Sequence, residues 1–375
     1  MKNIMKILYI SNSVIPSRTA NSIHVMKMCQ AFTEIGHDVV LLAPDKTNSY
    51  EKNINDIYEF YGVKKNFKIE KLWHPNLKGG ILIYLFGILL YLIKHKKYNL
   101  VYGRFLHGCY LASLLKKKVI FETHEIIHKK KKNNLFFFKK LITSKYFLKL
   151  IVISKALKNI YLEKPIMKNI NIQVAHDGAD EVKNFSSKVN LKGPENILKV
   201  GYVGHLYKGR GIEIIIECAK RISDISFHLV GGMESDIEYW KNNLSLLNLN
   251  NIFFYGFKSP NETLKYRNSF DIFLAPYSNQ VSVFGNSGDT SRIMSPLKIF
   301  EYMSHQKPII ASDITVLKEV LNNKNSILVK YDDINGWVNA INLLRQKQKR
   351  EQLALNAYKD FKKYSWNNRA FDTID

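Results

Sequence analysis

Cysteine is scarce. The chain of 375 residues has three, Cys29, Cys109 and Cys218, far apart and with no Cys-x-x-Cys pair. So small, scattered and odd a set argues against a disulfide framework or a thiolate zinc site and fits a reducing compartment. Long hydrophobic runs are missing as well. The longest uncharged one, GGILIYLFGILLYLI between Lys78 and Lys94, is shorter than the ~20 residues a membrane span needs and is broken by Gly87. It is expected as a buried helix. The opening MKNIMKILYISNS has too short an apolar run for a signal peptide and no small-residue cleavage site, and reads as a first strand. Acidic residues are few: 32 against 56 Lys and Arg, a net charge of +24. The imbalance is concentrated, with 32 basic against 13 acidic residues in 1–190 and 24 against 19 in the rest. A basic half points to an anionic partner: nucleic acid, a membrane surface or a phosphate-bearing substrate. No helix-turn-helix, RRM or zinc-finger pattern accompanies the charge, so no specific nucleic acid is expected.

What is present is a globular composition, 46 % hydrophobic and 23 % charged, in a chain long enough for two domains. Compact apolar runs alternate with helical spacing: KILYIS (6–11), DVVLLAP (38–44), FKIEKLW (67–73), LVYGR (100–104), KVIFETHE (118–125), KLIVIS (149–154) and IQVAHDG (172–178). The pattern lapses in the polar stretch before residue 198 and restarts with LKVGYVGH (198–205), ISFHLVGG (225–232), IFFYGF (252–257), DIFLAPYS (271–278), KPIIAS (307–312) and SILVK (326–330). This alternation implies two doubly wound α/β domains with parallel sheets and helices on both faces. The expected limits are 1–185, a linker at 186–197, and 198–360. Ligands of such sheets bind outside the carboxyl ends of the strands, so two facing domains imply a cleft.

Five stretches carry candidate chemistry. In SPLKIFEYMSHQKPIIASD (295–313), Ser295 suits an N-cap and Pro296 the first helical position. The amides of Leu297 and Lys298 would then project from a helix start that attracts phosphate, and Lys298 adds a full charge. Glu301 follows at i+3, placed to accept two ribose hydroxyls; the plainer alternative is an exposed Lys–Glu pair. In VGYVGHLYKGRGIEII (200–215) a strand ends at Gly204 and a loop holds His205, Lys208 and Arg210, which suit a diphosphate. FETHEII puts His124 at a strand's carboxyl end, where an imidazole hydrogen-bonds a sugar, aids proton transfer or is simply structural. SRTANSIH (17–24) offers Asn21 or Ser22 as N-cap of a helix that a ligand approaches. HKKKKNNLFFFKK sets Lys129, Lys130, Lys131 and Lys132 beside Phe136 and Phe137, a combination suited to an anionic membrane.

Together these stretches resemble the family 4 glycosyltransferases of the GT-B fold, the retaining, nucleotide-sugar-dependent class that includes bacterial capsule, lipopolysaccharide and glycolipid enzymes. The resemblance runs over nearly the whole chain, from SRTANSIHVMKMCQAFTEIGHDVVLLAP through FETHE, IVISKALK and VAHDGAD to VGYVGHLYKGRGIEIIIECA and SPLKIFEYMSHQKPIIASD. YSWNNRA (364–370) resembles the terminal segment, which implies that 361–375 crosses back to the first domain. The resemblance implies that Glu301 is the second glutamate of an E-x7-E motif and binds ribose, that Arg210 contacts the diphosphate, and that His124 lies close to the donor sugar. His205 stands where Arg is usual. The implied catalytic set is His124, Arg210 and Lys298. The donor-binding set is Gly204, His205, Arg210, Ser295, Leu297, Lys298 and Glu301, and the acceptor or loop candidates are Asn21, Ser22, His24 and Asp289.

Two departures stand out. The first glutamate of E-x7-E would fall at Ile293, with Asp289 as a candidate replacement. The Gly-Gly of the first loop is replaced by Thr19, Ala20, Asn21 and Ser22. The resemblance implies transfer of a sugar from a UDP- or GDP-sugar co-substrate to a glycan or polyprenyl or other lipid-linked acceptor. No bound cofactor and no metal are expected, since no DxD-like pair ends a strand. The expected location is the cytoplasm, peripheral on the inner face of the cytoplasmic membrane. The rival readings are a non-catalytic sugar-nucleotide-binding relative, which Ile293 favours, and a GT-B nucleotide-sugar epimerase.

Overall fold

The structure is a computed structural model and describes residues 4–46, 51, 54–127, 132–245, 247–282 and 289–375. The chain divides into two compact units, Met1–His176 with Trp366–Asp375, and Asp177–Ser365.

In the first unit the order is β1 (Lys6–Ile10), α1 (Ala20–Glu34), β2 (Asp38–Asp45), α2 (Ile57–Tyr61), β3 (Lys68–Trp73), α3 (Gly80–Lys94), β4 (Leu100–Gly103), α4 (Leu106–Leu114), β5 (Val119–Thr123), α5 (Lys132–Ile142), β6 (Phe147–Val152), α6 (Lys155–Leu162) and β7 (Ile172–Val174). The second unit has β8 (Lys199–Val203), α7 (Ile212–Arg221), β9 (Ser226–Val230), α8 (Glu234–Ser245), β10 (Ile252–Phe254), α9 (Pro260–Ser269), β11 (Ile272–Ala275), α10 (Leu297–Ser304), β12 (Ile309–Ser312), β13 (Ile327–Val329), α11 (Ile334–Leu343) and α12 (Lys347–Phe361). The last helix, α13 (Trp366–Ile374), returns to the first unit.

Both sheets are parallel, in the orders β3-β2-β1-β4-β5-β6-β7 and β10-β9-β8-β11-β12-β13. Strands covered on both faces read as continuous apolar runs rather than alternating ones. Ile7, Leu8, Tyr9 and Ile10 of β1 are accordingly all buried, as are Ile272, Phe273, Leu274 and Ala275 of β11. In each sheet the chain first winds to one side of its opening strand and then to the other. The direction switches between β1 and β4 in the first sheet and between β8 and β11 in the second. Such switch points leave a crevice at the strands' carboxyl ends.

Two sequence expectations need correcting. The polar stretch 186–197 is not a detached linker, and the division falls at Asp177 rather than at residue 185. Its backbone is fastened to the second unit: Val189 N–H donates to Ser269 Oγ, Lys192 N–H donates to Tyr255 Oη, and Asn268 Nδ2 donates to the carbonyls of Asn184 and Ser187. Polar side chains here satisfy a backbone that runs along a surface, a role that composition does not reveal. The second correction is α3. Only its Gly80, Tyr84, Ile88 and Leu92 stripe is buried; Leu82, Phe86, Leu90 and Ile93, on the opposite face, are exposed.

The second unit's core gathers on Trp337 of α11, which is fully buried and donates its indole N–H to the Lys330 carbonyl at 3.0 Å. Removing so large a side chain leaves a cavity and an unpaired carbonyl. Trp337→Ala should therefore lower stability by about 3–5 kcal/mol, read as a reduced urea midpoint.

Candidate functional site

At the switch point of the second sheet, three segments converge. Gly204 follows β8 with φ +148°, and its amide N–H donates to the Val230 carbonyl at 2.9 Å. A Cβ here would lie 2.8 Å from the Lys298 ammonium, so glycine makes room for that side chain. Gly211, the N-cap of α7 at φ +79°, touches the segment after β11 so closely that a Cβ would come within 1.7 Å of the Pro276 carbonyl oxygen. These approaches bring Arg210 and Tyr277 together, with the guanidinium carbon 5.5 Å from the Tyr277 ring centroid. Arg210 also donates to the Ser282 carbonyl at 3.2 Å. Burial pushes the Tyr277 hydroxyl up to about 12, with Arg210 opposing.

Lys298, the second residue of α10, is buried, which no solvated helix face would allow. Its Nζ lies 3.7 Å from the Tyr202 ring centroid and 5.1 Å from that of Tyr277, and it has no hydrogen-bond partner among the described residues. The cation–π contact replaces only part of the lost hydration. Burial drives the Lys298 pKa well below the ordinary lysine value; repulsion from Arg210 adds to this and Glu301 opposes it. Two cations crowded at a helix start form a site that favours an incoming anion.

The structure places the other donor-side candidates as follows. Glu301 does not form a salt bridge with Lys298; its Oε2 meets Arg267 of α9 at 3.2 Å, and 29 % of its side chain remains exposed. Arg267 is itself buried and lies against His305, whose Nδ1 contacts the Glu301 carbonyl at 2.6 Å. Ser295 is not the N-cap. The helix begins at Leu297 with Pro296 as cap, and Ser295 Oγ accepts the Asp177 amide at 2.9 Å, so its hydroxyl is spent on the entry to the second unit. The His205 ring stacks on Tyr207 at 4.7 Å, and its carbonyl accepts from the Tyr202 hydroxyl. Asp289 is a turn brace: its oxygens accept the amides of Val281 and Ser291 and the Ser291 hydroxyl. Ile293 is buried.

In the first unit, His124 follows β5 and its Nε2 lies 2.5 Å from Glu122 Oε1. Glu122, absent from the sequence candidates, is the hub. It is fully buried and meets His24 Nε2 at 2.9 Å, Arg369 of α13 at 2.9 and 3.2 Å, and the Tyr102 hydroxyl. Burial pushes the Glu122 carboxyl up, but Arg369, His24 and His124 together hold it well below the ordinary carboxylate range. The His24 ring packs edge-on against His124 at 4.8 Å and Trp366 at 5.2 Å.

His24, Glu122 and His124 put one ligand atom each within 4.8 Å of one another, the one such metal-capable group among the described residues. A cation there would have to compete with the Arg369 guanidinium, which already binds both Glu122 oxygens. The α1 candidates serve the helix start. Thr19, not Asn21 or Ser22, is the N-cap, and buried Ser22 Oγ donates to the Ser17 carbonyl at 2.8 Å. The basic run lies largely outside the described residues, which omit 128–131, and nothing is described of the Lys132 side chain. Phe136 is exposed, and half-buried Phe137 packs on His107 and Tyr110.

Four participants escaped the sequence reading. Arg267, Tyr277, Glu122 and Arg369 act through long-range pairing, with 247 positions separating the last two. The one local signal was for Glu122, a carboxylate inside an apolar strand run.

Residues 198–347 match the family model described as "Glycosyl transferases group 1". No curated protein matches the chain by sequence. Among solved structures, the sucrose-phosphate synthase of Thermosynechococcus elongatus is 17 % identical with a TM-score of 0.75, over 99 % of this chain and 97 % of that one. HepE of Anabaena, solved with UDP and glucose, is 16 % identical with a TM-score of 0.71, over 99 % of both chains. A TarM mutant of S. aureus, solved with fondaparinux, alpha-GlcNAc-glycerol and UDP, is 12 % identical with a TM-score of 0.66, over 99 % of both chains. The second unit carries a glycosyltransferase domain, and the chain has the two parallel-sheet α/β units of the GT-B fold.

The two clusters should respond oppositely to neutralisation. Glu122→Gln leaves Arg369 buried without its countercharge and should cost about 3–5 kcal/mol of stability. Lys298→Met removes a buried amine that has no hydrogen-bond partner among the described residues and should leave stability unchanged or raise it. Urea midpoints for the two variants check this. Because the Glu122 carboxyl is held low in the folded state, its contribution is present above the unfolded carboxylate value and is lost as pH falls through the folded one.

Proposed function

We propose that the protein is a retaining glycosyltransferase that moves a sugar from a UDP- or GDP-sugar to a glycan or lipid-linked acceptor. The observation that carries this reading is the buried Lys298 ammonium beside Arg210 at the start of α10. Cleaving the bond between sugar and diphosphate builds negative charge on the phosphate and positive character on the sugar. Lys298, Arg210 and the α10 amides are placed to stabilise the first. Glu301, steadied by Arg267, supplies a carboxylate for the ribose hydroxyls. In the first unit, His124, held by Glu122, serves as hydrogen-bond partner or proton acceptor for the sugar acceptor. With no carboxylate set as a covalent nucleophile among the described residues, the phosphate of the leaving group helps deprotonate the acceptor on the same face, which gives retention.

HepE and TarM were both solved with UDP, which supports a nucleoside diphosphate as the leaving group. The reading extends to family 4 membership and to bacterial surface polysaccharide or glycolipid synthesis at the inner face of the cytoplasmic membrane, supported by the basic first half. A second reading, sugar-nucleotide binding without transfer, rests on Ile293, whose buried aliphatic side chain replaces the expected first glutamate.

A thermal-shift screen with UDP, GDP, ADP and CMP should show one base raising the melting temperature. Glu301→Ala should weaken that nucleotide about 10- to 100-fold, the loss expected for hydrogen bonds to a charged group. Radiolabelled donor with a bacterial membrane extract then separates the readings. Label in a new product supports transfer; bound label with neither transfer nor hydrolysis supports the second reading.

A further inference from the structure

The 15-residue helix α3 is apolar on two faces and the unit covers only one. Tyr84, Ile88 and Leu92 are buried against the sheet side, with Tyr84 Oη donating to the Ser11 carbonyl. On the opposite face Leu82, Phe86, Leu90 and Ile93 are 48–67 % exposed. They fall at i, i+4, i+8 and i+11, a single stripe along the helix. Leu77, in the turn leading in, and Trp73, at the end of β3, are 61 and 68 % exposed. Large exposed side chains scattered singly are ordinary; a stripe of four on one helix is not.

The stretch that runs into, through and beyond this helix carries charge of one sign, although Glu70 and Asp38 lie near Tyr98, which hydrogen-bonds Tyr91 of α3. From Lys71 to Phe121 the sequence contains no Asp or Glu but has Lys71, Lys78, Lys94, Lys96, Lys97, Arg104 and Lys116 to Lys118. Lys78 stands before the helix and Lys94 in its last turn. The Lys117 ammonium donates to the Lys96 carbonyl, which brings the second lysine cluster beside the end of α3. Helix α4 packs along α3 and continues the same layer.

We infer that the outer face of α3, with Leu77 in the turn before it, docks in the plane of an anionic membrane surface. An apolar stripe with basic residues at its ends is the form that lies in the headgroup region, with aliphatic side chains toward the acyl boundary and lysines on phosphate. The helix is about 22 Å long, shorter than the ~30 Å hydrocarbon core, and no helix among the described residues can cross a membrane. It therefore lies on the bilayer rather than through it. A second copy of the chain is a poorer occupant, because the basic ends of one face would meet those of the other. This surface is distinct from the 129–132 lysines, and it deepens the membrane part of the proposed function, on which it rests.

Flotation of the full chain with vesicles of phosphatidylglycerol and phosphatidylcholine tests it, with phosphatidylcholine vesicles as control. The wild type should float with the anionic vesicles only. Phe86→Glu with Leu90→Glu should reduce flotation at least tenfold, and the milder Leu82→Gln with Leu90→Gln should reduce it in part. All these residues are exposed, so the melting temperature and its rise with UDP should persist in the variants. Undiminished flotation of the double Glu variant overturns the assignment, as does a wild type that fails to float. A concentration-dependent dimer that the same substitutions dissolve also overturns it, giving the face to a second copy. Failure of the donor reading would appear instead as no thermal response of the wild type to any of UDP, GDP, ADP and CMP, with the vesicle result intact.

Discussion

The second unit is organised around an electrostatic strain: the amine of Lys298, buried between two tyrosine rings, with a guanidinium nearby and no hydrogen-bond partner among the described residues. Burying a charge without a partner is costly, and folded proteins keep such a group where something outside the chain completes it. Much of the local architecture makes sense as support for that position. Gly204 leaves space for the ammonium, Gly211 lets the Arg210 loop close on the segment after β11, and the switch between β8 and β11 opens the crevice that receives all of them. Glu301, the nearest acid, is drawn off by Arg267 instead of neutralising Lys298. Lys298 is thereby left without a countercharge until an anionic ligand supplies one.

The first unit handles buried charge in the opposite way. Glu122 is enclosed by Arg369, His24, His124 and Tyr102, so its charge is matched within the fold. That network has a positional consequence. It fixes the ring of His124 at the end of β5 and ties α13, the last element of the chain, to α1 and β5. The strand-end histidine is thus oriented by a carboxylate two residues before it and by an arginine near the carboxyl terminus. One charge is satisfied and positions a side chain; the other is unsatisfied and prepares a site.

The fold was largely legible because a parallel sheet covered on both faces demands uninterrupted apolar runs, and KILYIS, KVIFETHE and DIFLAPYS are such runs. Lys298 and Glu301 were visible for a local reason, a helix start with its charges one turn apart. Their partners were not, because Arg267 and Tyr202 reach them through tertiary packing. Ser295 misled: Ser-Pro before an apolar run has the form of a cap, yet the hydroxyl holds the Asp177 amide 118 positions away. Asp289 misled likewise, since a carboxylate in a polar loop looks free until its turn contacts are seen. The α3 run misled because hydrophobicity reports what a helix can bury, not what the fold leaves uncovered.

If an unpartnered Lys298 defines the site, its protonation must change when a diphosphate arrives. Its lowered pKa should rise toward or beyond the ordinary lysine value beside the anion, so binding takes up a proton at pH values between the two. The sign for the empty protein is the reverse: across the span from the lowered to the ordinary value the unfolded chain holds the extra proton, so stability rises with pH. The direct measurement is titration calorimetry of UDP binding in buffers of different ionisation enthalpy, at a series of pH values below the ordinary lysine value. The account predicts net proton uptake, an affinity that falls as pH rises, and loss of the uptake in Lys298→Met. Tight UDP binding with no proton uptake, or with the same uptake in Lys298→Met, would contradict it.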